Sequence, residues 1–197
     1  REATEADGTE STYYVIRNEG KMTLESSYLT VYNDNAADPS SVIGNNTGCR
    51  NSNPASLTIA DGTYRSQASN AVKNDEYGIL TITGGTFRTY SQNHAAVQNW
   101  ATATISGGTF YGVRFALSVE VYNGQTNTTT IMGGTFRDAD NAIFISDGYR
   151  DGSAVYEGGT IDLSVGGSAK IRGPITESEE FPISDGDDTL SVTVAPD

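Results

Sequence analysis

The stretch "ILTITGGTFR" at residues 79–88 recurs as "TATISGGTFY" at 102–111, as "TTTIMGGTFR" at 128–137 and, in weaker form, as "SLTIADGTYR" at 56–65. The second glycine of each pair, or its equivalent, recurs in steps of 23 to 26 residues, at Gly62, Gly85, Gly108, Gly134 and Gly159. Repeats of this length indicate a solenoid, in which each unit buries its apolar face against the next unit. The repeated phrase therefore decides the fold class.

The pattern inside one repeat indicates which solenoid forms. Apolar and polar residues alternate on both sides of the glycine pair, as expected for two short strands joined by a turn. A second apolar segment follows each turn, at 70–74, 95–99, 115–119 and 141–145. Three short strands per repeat predict an all-β, single-stranded right-handed parallel β-helix of about seven three-sided coils.

Successive coils of such a helix stack about 4.8 Å apart, so equivalent residues form columns. Two columns are predicted to lie inside: an aromatic column of Tyr64, Phe87, Phe110 and Phe136, and an aliphatic column of Ile59, Ile82, Ile105 and Ile131. Leu24 takes the place of Ile82 in an earlier coil.

The β-helix is predicted to occupy residues 12–175. Residues 1–11 form an N-terminal extension, and residues 33–56, rich in Pro, Asn and Ser, form an inserted loop. Residues 176–197 form an acidic C-terminal segment in which "LSVTV" supplies a capping strand or a linker. The sequence begins at Arg1 without an initiator Met or a signal peptide, which predicts an excised segment or a processed product.

Composition restricts the possible partners. A formal net charge of −13 on 197 residues disfavours nucleic acid and anionic membranes, because both are repelled at long range. No apolar run approaches the roughly 20 residues of a membrane-spanning helix. Cys49 is the only cysteine, so neither an internal disulfide nor a paired-thiol metal site is possible. We expect a monomer without metal or cofactor.

Two outward columns are candidate ligand-binding sites. The first contains Arg65, Arg88, Tyr111 and Arg137, whose cations repel one another unless acids on adjacent loops or a ligand neutralise them. The second contains Tyr77, Trp100, Tyr122 and Tyr149, near the third corner of successive coils. Partly exposed rings in a row suit sugar rings or a protein. The alternative is that these rings fold over loops and cover the corner.

A third outward column consists of hydroxyls, at Thr58, Thr81, Thr104 and Thr130. Regular hydroxyl arrays resemble those of some ice-binding proteins. Thr is also a favoured outward residue on strands, and Ile79 and Met132 interrupt the array. Ice binding is therefore one alternative function, and a spacer that lifts other domains off a cell wall is another.

The phrases "TISGGTF" and "VGGSAKIRG" resemble the right-handed parallel β-helix repeats of secreted and wall-attached bacterial proteins, within the broad pectate-lyase-like group. The resemblance covers roughly residues 12–175 and implies an extracellular location on the bacterial cell surface. Because this fold serves unrelated functions, it does not by itself identify an activity. We expect a non-catalytic adhesion module that binds a host glycoprotein, an immunoglobulin-type protein or a polysaccharide.

The rival interpretation is a polysaccharide lyase or glycoside hydrolase. Enzymes that this sequence resembles cluster Asp, Lys, Arg or His on one face, whereas its acids are scattered. The best acid pair is Asp138 and Asp140, next to Arg137, and no third partner is apparent. His94, the single histidine, has no obvious acidic partner and is predicted to be a solvated loop residue.

Overall fold

The structure is a computed structural model that describes residues 14–37, 40–46, 54–121, 123–137, 140–151, 153–182 and 189–194. These residues form strands and turns and contain no helix. Three long sheets of parallel strands run along the molecule, with seven, seven and six strands. The chain visits the three sheets in turn, which makes a three-sided parallel β-helix of about seven coils, as the repeats predict.

The strands are numbered in chain order. Sheet 1 contains β1 (Ile16–Asn18), β4 (Ile43–Asn45), β7 (Val72–Asn74), β10 (Ala95–Asn99), β13 (Phe115–Glu120), β16 (Asn141–Ser146) and β21 (Ile175–Glu177). Sheet 2 contains β2 (Lys21–Leu24), β5 (Ser56–Ile59), β8 (Ile79–Ile82), β11 (Thr102–Ile105), β14 (Gln125–Ile131), β19 (Gly159–Val165) and β22 (Thr189–Val194). Sheet 3 contains β3 (Thr30–Asn33), β6 (Thr63–Ser66), β9 (Thr86–Thr89), β12 (Thr109–Tyr111), β15 (Thr135–Arg137) and β20 (Lys170–Arg172).

Equivalent residues of successive coils pair directly, and both inner columns are confirmed. The rings of Tyr64, Phe87, Phe110 and Phe136 stack with centroid separations of 5.2, 5.0 and 4.5 Å and nearly parallel planes. All four are fully buried, and each contributes roughly 2 to 3 kcal/mol through burial. Burial raises the pKa of Tyr64 to about 12, and its hydroxyl donates to the carbonyl of Asp61.

The first glycine of each pair lies where two coils touch at the corner between sheets 2 and 3. A methyl group on Gly84, Gly107 or Gly133 would stand 2.2 Å from a carbonyl oxygen of the coil beneath. Gly167 meets the same contact, 2.3 Å from the carbonyl of Met132. The fifth corner therefore lies at 166–167. The sequence-based assignment of this corner to Gly159 is wrong, because Gly159 pairs with Gln125 at the start of β19.

A column of asparagines occupies the corner between sheets 1 and 2. The side-chain amide of Asn18 donates to Asn45, Asn45 to Asn74 and Asn74 to Asn99, each over 2.7 Å, and Asn99 donates to Asn127 over 3.2 Å. Remaining amide hydrogens bond turn carbonyls, such as those of Gly78 and Thr102 for Asn74. All five side chains are buried, and this ladder holds successive corners in one register.

Two segments depart from the simple repeat. Residues 33–56, predicted to be an inserted loop, contain β4, which pairs with β1 and β7, so the extra length is divided between the loops on either side of that strand. Strands β17 (Gly148–Asp151) and β18 (Ala154–Glu157) form an antiparallel hairpin between β16 and β19. At the C-terminal end, β22 pairs with β19 and extends sheet 2.

The corner contact generates a stability prediction. Gly107→Ala should lower the free energy of unfolding by about 3 kcal/mol, because the new methyl group must displace backbone rather than a side chain. Gly20→Ala is the matched control, since nothing lies within 4 Å of a methyl group there. Urea denaturation measures both, and equal stabilities would contradict the corner constraint.

The asparagine ladder generates a second prediction. Asn74→Ala should destabilise the fold by roughly 2 to 4 kcal/mol, because it leaves the amides of Asn45 and Asn99 with one partner fewer inside the protein. Asn93→Ala, at an exposed position, should change stability by less than about 0.5 kcal/mol. Thermal unfolding followed by circular dichroism compares the two variants.

Candidate functional site

A groove of about 880 Å³ runs along the outer face of sheet 1. Strands in this sheet alternate inward and outward side chains, so every second residue of a strand faces the groove. The outward row across the groove floor runs through Lys73, Gln98, Ser118, Phe144 and Thr176. The volume of the groove lies in the range typical of sites for small molecules and oligosaccharides.

Glu120, at the end of β13, lines the groove and is only 9% exposed. The amide of Gln98 donates to both carboxylate oxygens, over 3.0 and 3.1 Å, and the indole N–H of Trp100 donates to one of them over 2.9 Å. An ionised carboxylate has about four acceptor positions, so it can also accept hydrogen bonds from a ligand.

A chain of hydrogen bonds along the groove fixes this carboxylate. The hydroxyls of Ser69 and Ser41 lie 3.3 Å apart, and Asn70 donates to Ser41 over 3.2 Å and to the side-chain oxygen of Gln98 over 3.0 Å. The oxygen of Gln98 therefore faces Asn70, and its nitrogen must face Glu120. The polar floor is thus ordered before any ligand arrives.

Ser118 is the exception in this ordered floor. It lies one coil beyond Gln98 in the outward row, is 2% exposed, and its hydroxyl forms no hydrogen bond within the described part of the chain. A buried hydroxyl without a partner costs roughly 1 to 3 kcal/mol. The residue lines the groove but its hydroxyl oxygen is itself buried, so a ligand hydroxyl or carbonyl supplies the missing partner once the Ser118 side chain turns toward the groove.

One wall of the groove is aromatic. Lys73 lies 3.8 Å from the centroid of the Trp100 ring, Tyr149 stacks on Trp100 at 5.1 Å, and Tyr156 stacks on Tyr149 at 4.9 Å. Trp100 is buried rather than partly exposed, because the β17–β18 hairpin brings Tyr149 against it. These rings therefore stack on one another and leave mainly their edges to a ligand.

Burial perturbs titratable groups in the groove and near it, and it raises the pKa of Tyr14, which lines the groove. Burial lowers the pKa of His94, which also lines the groove, and the Glu120 carboxylate raises that pKa in part. The Nδ1 atom of His94 lies 2.9 Å from the Ser91 hydroxyl oxygen. His94 is thus half-buried rather than a solvated loop residue. Burial also raises the pKa of Asp75, partly offset by Lys73, whose ammonium lies 3.1 Å from it.

The other predicted site residues lie elsewhere. Tyr77 is exposed in the turn after β7 and does not line the groove. Arg65, Arg88, Tyr111 and Arg137 form one register column on sheet 3, so the two predicted columns belong to different faces. Asp140 is exposed and does not line the groove either. Tyr122 and Asp138 lie outside the described residues.

No protein-family model, curated protein or solved structure matches this chain. In the described ranges, no group of three or more His, Cys, Asp or Glu side chains is arranged to hold a metal ion. The same ranges contain no helix long and apolar enough to cross a membrane.

Sequence reasoning missed the groove because its residues do not repeat. Lys73, Gln98, Ser118 and Phe144 share a column but not a chemical type, and Glu120 looks like one more scattered acid. The available signal was alternation: each of these residues stands between two buried neighbours, which are apolar for Ser118, Phe144 and Glu120 and include an asparagine for Lys73 and Gln98.

His94 provides a direct test of the groove's electrostatics. Its pKa should lie below the usual 6.5, because burial disfavours the imidazolium. Glu120→Gln should lower it further, since the carboxylate stabilises that cation. His94 is the single histidine of the chain, so its ring proton signals in an NMR pH titration are unambiguous. An unchanged or raised pKa in the variant would contradict this arrangement.

Proposed function

We propose that this chain is a non-catalytic binding module that holds a neutral glycan in the groove on sheet 1. The supporting observation is the pre-ordered floor, where Glu120, with its carboxylate already fixed, and Ser118, with a buried hydroxyl that has no partner among the described residues, line the same groove. Glycans carry many hydroxyls, and each can donate to a carboxylate and accept from a serine. Because the groove is already shaped, little ordering entropy opposes binding.

Charge favours a neutral ligand over an acidic one. The groove contains a buried carboxylate held by two neutral donors, and the chain has a formal net charge of −13. An anionic sugar at this position would meet like charge in a partly desolvated site. We further propose, from the resemblance to pectate-lyase-like repeats of bacterial surface proteins, that the module acts outside the cell and presents this groove to host glycans or glycoproteins.

A second candidate, a polysaccharide lyase or hydrolase, is favoured by His94. A histidine kept neutral by burial is suited to act as a general base, and it lines the same groove as Glu120. The catalytic group Arg137, Asp138 and Asp140 considered from sequence stays a prediction, because Asp138 lies outside the described residues; Arg137 lies on sheet 3 and not in the groove. Turnover of arrayed polysaccharides that His94→Gln abolishes would favour this candidate over binding alone.

The binding hypothesis predicts a specific effect at Ser118. On an array of neutral, amino-sugar and acidic glycans the protein should retain neutral ones, and Ser118→Ala should weaken binding to the retained glycan by roughly threefold to tenfold, the value of one hydrogen bond of about 1 kcal/mol. The same variant should be as stable as the parent or more so, because it removes a hydroxyl without a partner.

Ser164→Ala is the matched control, because Ser164 is exposed on sheet 2 and should affect neither property. Calorimetric titration with the retained glycan measures affinity, and thermal unfolding measures stability. Retention of acidic glycans alone, or an unchanged affinity in Ser118→Ala, would reject the proposed site.

A further inference from the structure

The outer face of sheet 3 carries a second polar surface, separate from the groove. One residue from each strand of sheet 3 pairs in register to form a column on this face. We call this column the arginine row; it consists of Tyr32, Arg65, Arg88, Tyr111, Arg137 and Arg172. The distance from Arg65 to Arg172 is four coil steps, about 19 Å at roughly 4.8 Å per step. Four cations in one line are conspicuous in a chain with 12 basic residues and a net charge of −13.

Aromatic rings, rather than acids, contact Arg88 and Arg137. The guanidinium of Arg88 lies 4.5 Å from the ring centroid of Tyr111 and 5.7 Å from that of Tyr90, and Arg137 lies 5.8 Å from Tyr111. Such contacts hold a guanidinium in place without neutralising it. Among the described residues, neither Arg88, Arg137 nor Arg172 forms an ion pair. Arg137 and Arg172 are direct neighbours, and like charges so placed repel each other.

One arginine of the row already binds a carboxylate. Asp34, from the loop after β3, receives hydrogen bonds from Arg65 Nε over 3.1 Å and from Nη2 over 2.8 and 2.7 Å. This is the forked geometry in which arginine recognises a planar carboxylate. The aspartate is attached to a peptide and reaches the row from outside the sheet, so it shows how an acidic peptide side chain fits.

We propose that the arginine row binds an extended acidic peptide segment of a partner protein, whose Asp or Glu side chains repeat the Asp34 contact at Arg88, Arg137 and Arg172. About six residues of an extended chain, at roughly 3.4 Å each, span the row. Beside it on the same face, two residues earlier in each strand, runs a column of hydroxyls that can accept main-chain N–H groups: Thr63, Thr86, Thr109 and Thr135.

A peptide suits this surface better than an acidic polysaccharide. Arg88 is half-buried between the rings of Tyr90 and Tyr111, so a carboxylate must reach inward to meet it. Asp and Glu carry their carboxylates on flexible stems of one or two methylenes, whereas a uronic acid carries its carboxylate directly on a bulky ring. The protein's own example of an occupied arginine is likewise a side chain on a stem.

The test uses the full chain and a fluorescent poly-L-glutamate peptide in a polarisation assay at low and high salt. The peptide should bind at low salt and weaken as salt rises. The double variant Arg88→Gln/Arg137→Gln should bind at least about tenfold more weakly, as expected for the loss of charge-assisted bonds. Arg17→Gln/Lys21→Gln removes the same charge from other faces and should bind nearly as the parent does.

Asp34→Asn provides a gain of function that misfolding cannot imitate. It frees Arg65 for the peptide and should strengthen binding by roughly threefold to tenfold. The ion pair it removes is exposed and contributes little to stability, so the fold is retained. Asp162→Asn, at an exposed position on sheet 2, makes the same charge change and should have a smaller effect.

Three results would overturn the proposal: no binding of poly-L-glutamate at low salt, equal affinities of Asp34→Asn and Asp162→Asn, or preferential binding of polygalacturonate or heparin over the peptide. The last result would assign the row to an acidic polysaccharide. Ser118→Ala should bind the peptide as the parent does, which keeps this test independent of the groove.

Discussion

The whole molecule depends on the pairing of each strand with the equivalent strand of the next coil, without slippage. A shift of one residue would move every outward side chain to the inside. Three contacts prevent it: the stacked aromatic rings of sheet 3, the asparagine ladder between sheets 1 and 2, and the glycine corners between sheets 2 and 3. Each acts at a different side of the coil, so the register is fixed all the way around.

The sequence reveals this framework because its constraints demand the same residue in each coil. Only glycine fits beneath the carbonyl of the neighbouring coil, and a flat ring such as Phe110 packs well against another flat ring. The asparagine ladder has an equally clear signal in the sequence, since Asn74 and Asn99 end successive apolar segments. An amide at the end of an apolar segment does not by itself predict a buried position, however. The sequence pattern placed a corner at Gly159 because the glycine pair that follows the β17–β18 hairpin has the same spacing as the corner glycines.

The candidate sites were predicted unequally for the same reason. The arginine row repeats one residue type and follows directly from the period, although the sequence does not reveal that the guanidinium groups of Arg88 and Arg137 both lie against the ring of Tyr111. The groove gains its character from differences between coils, and from bonds such as that between Trp100 and Glu120, which are 20 residues apart. Tertiary structure alone brings those together.

The β17–β18 hairpin enters at one corner and leaves the strands before and after it in register, since β19 still pairs with β14 along seven residues. Its tyrosines nevertheless shape one wall of the groove through their stacking on Trp100. Recognition and stability are therefore encoded in separable pieces of chain. Related solenoids could diversify what they recognise by exchanging a corner hairpin, while the repeating scaffold is inherited intact.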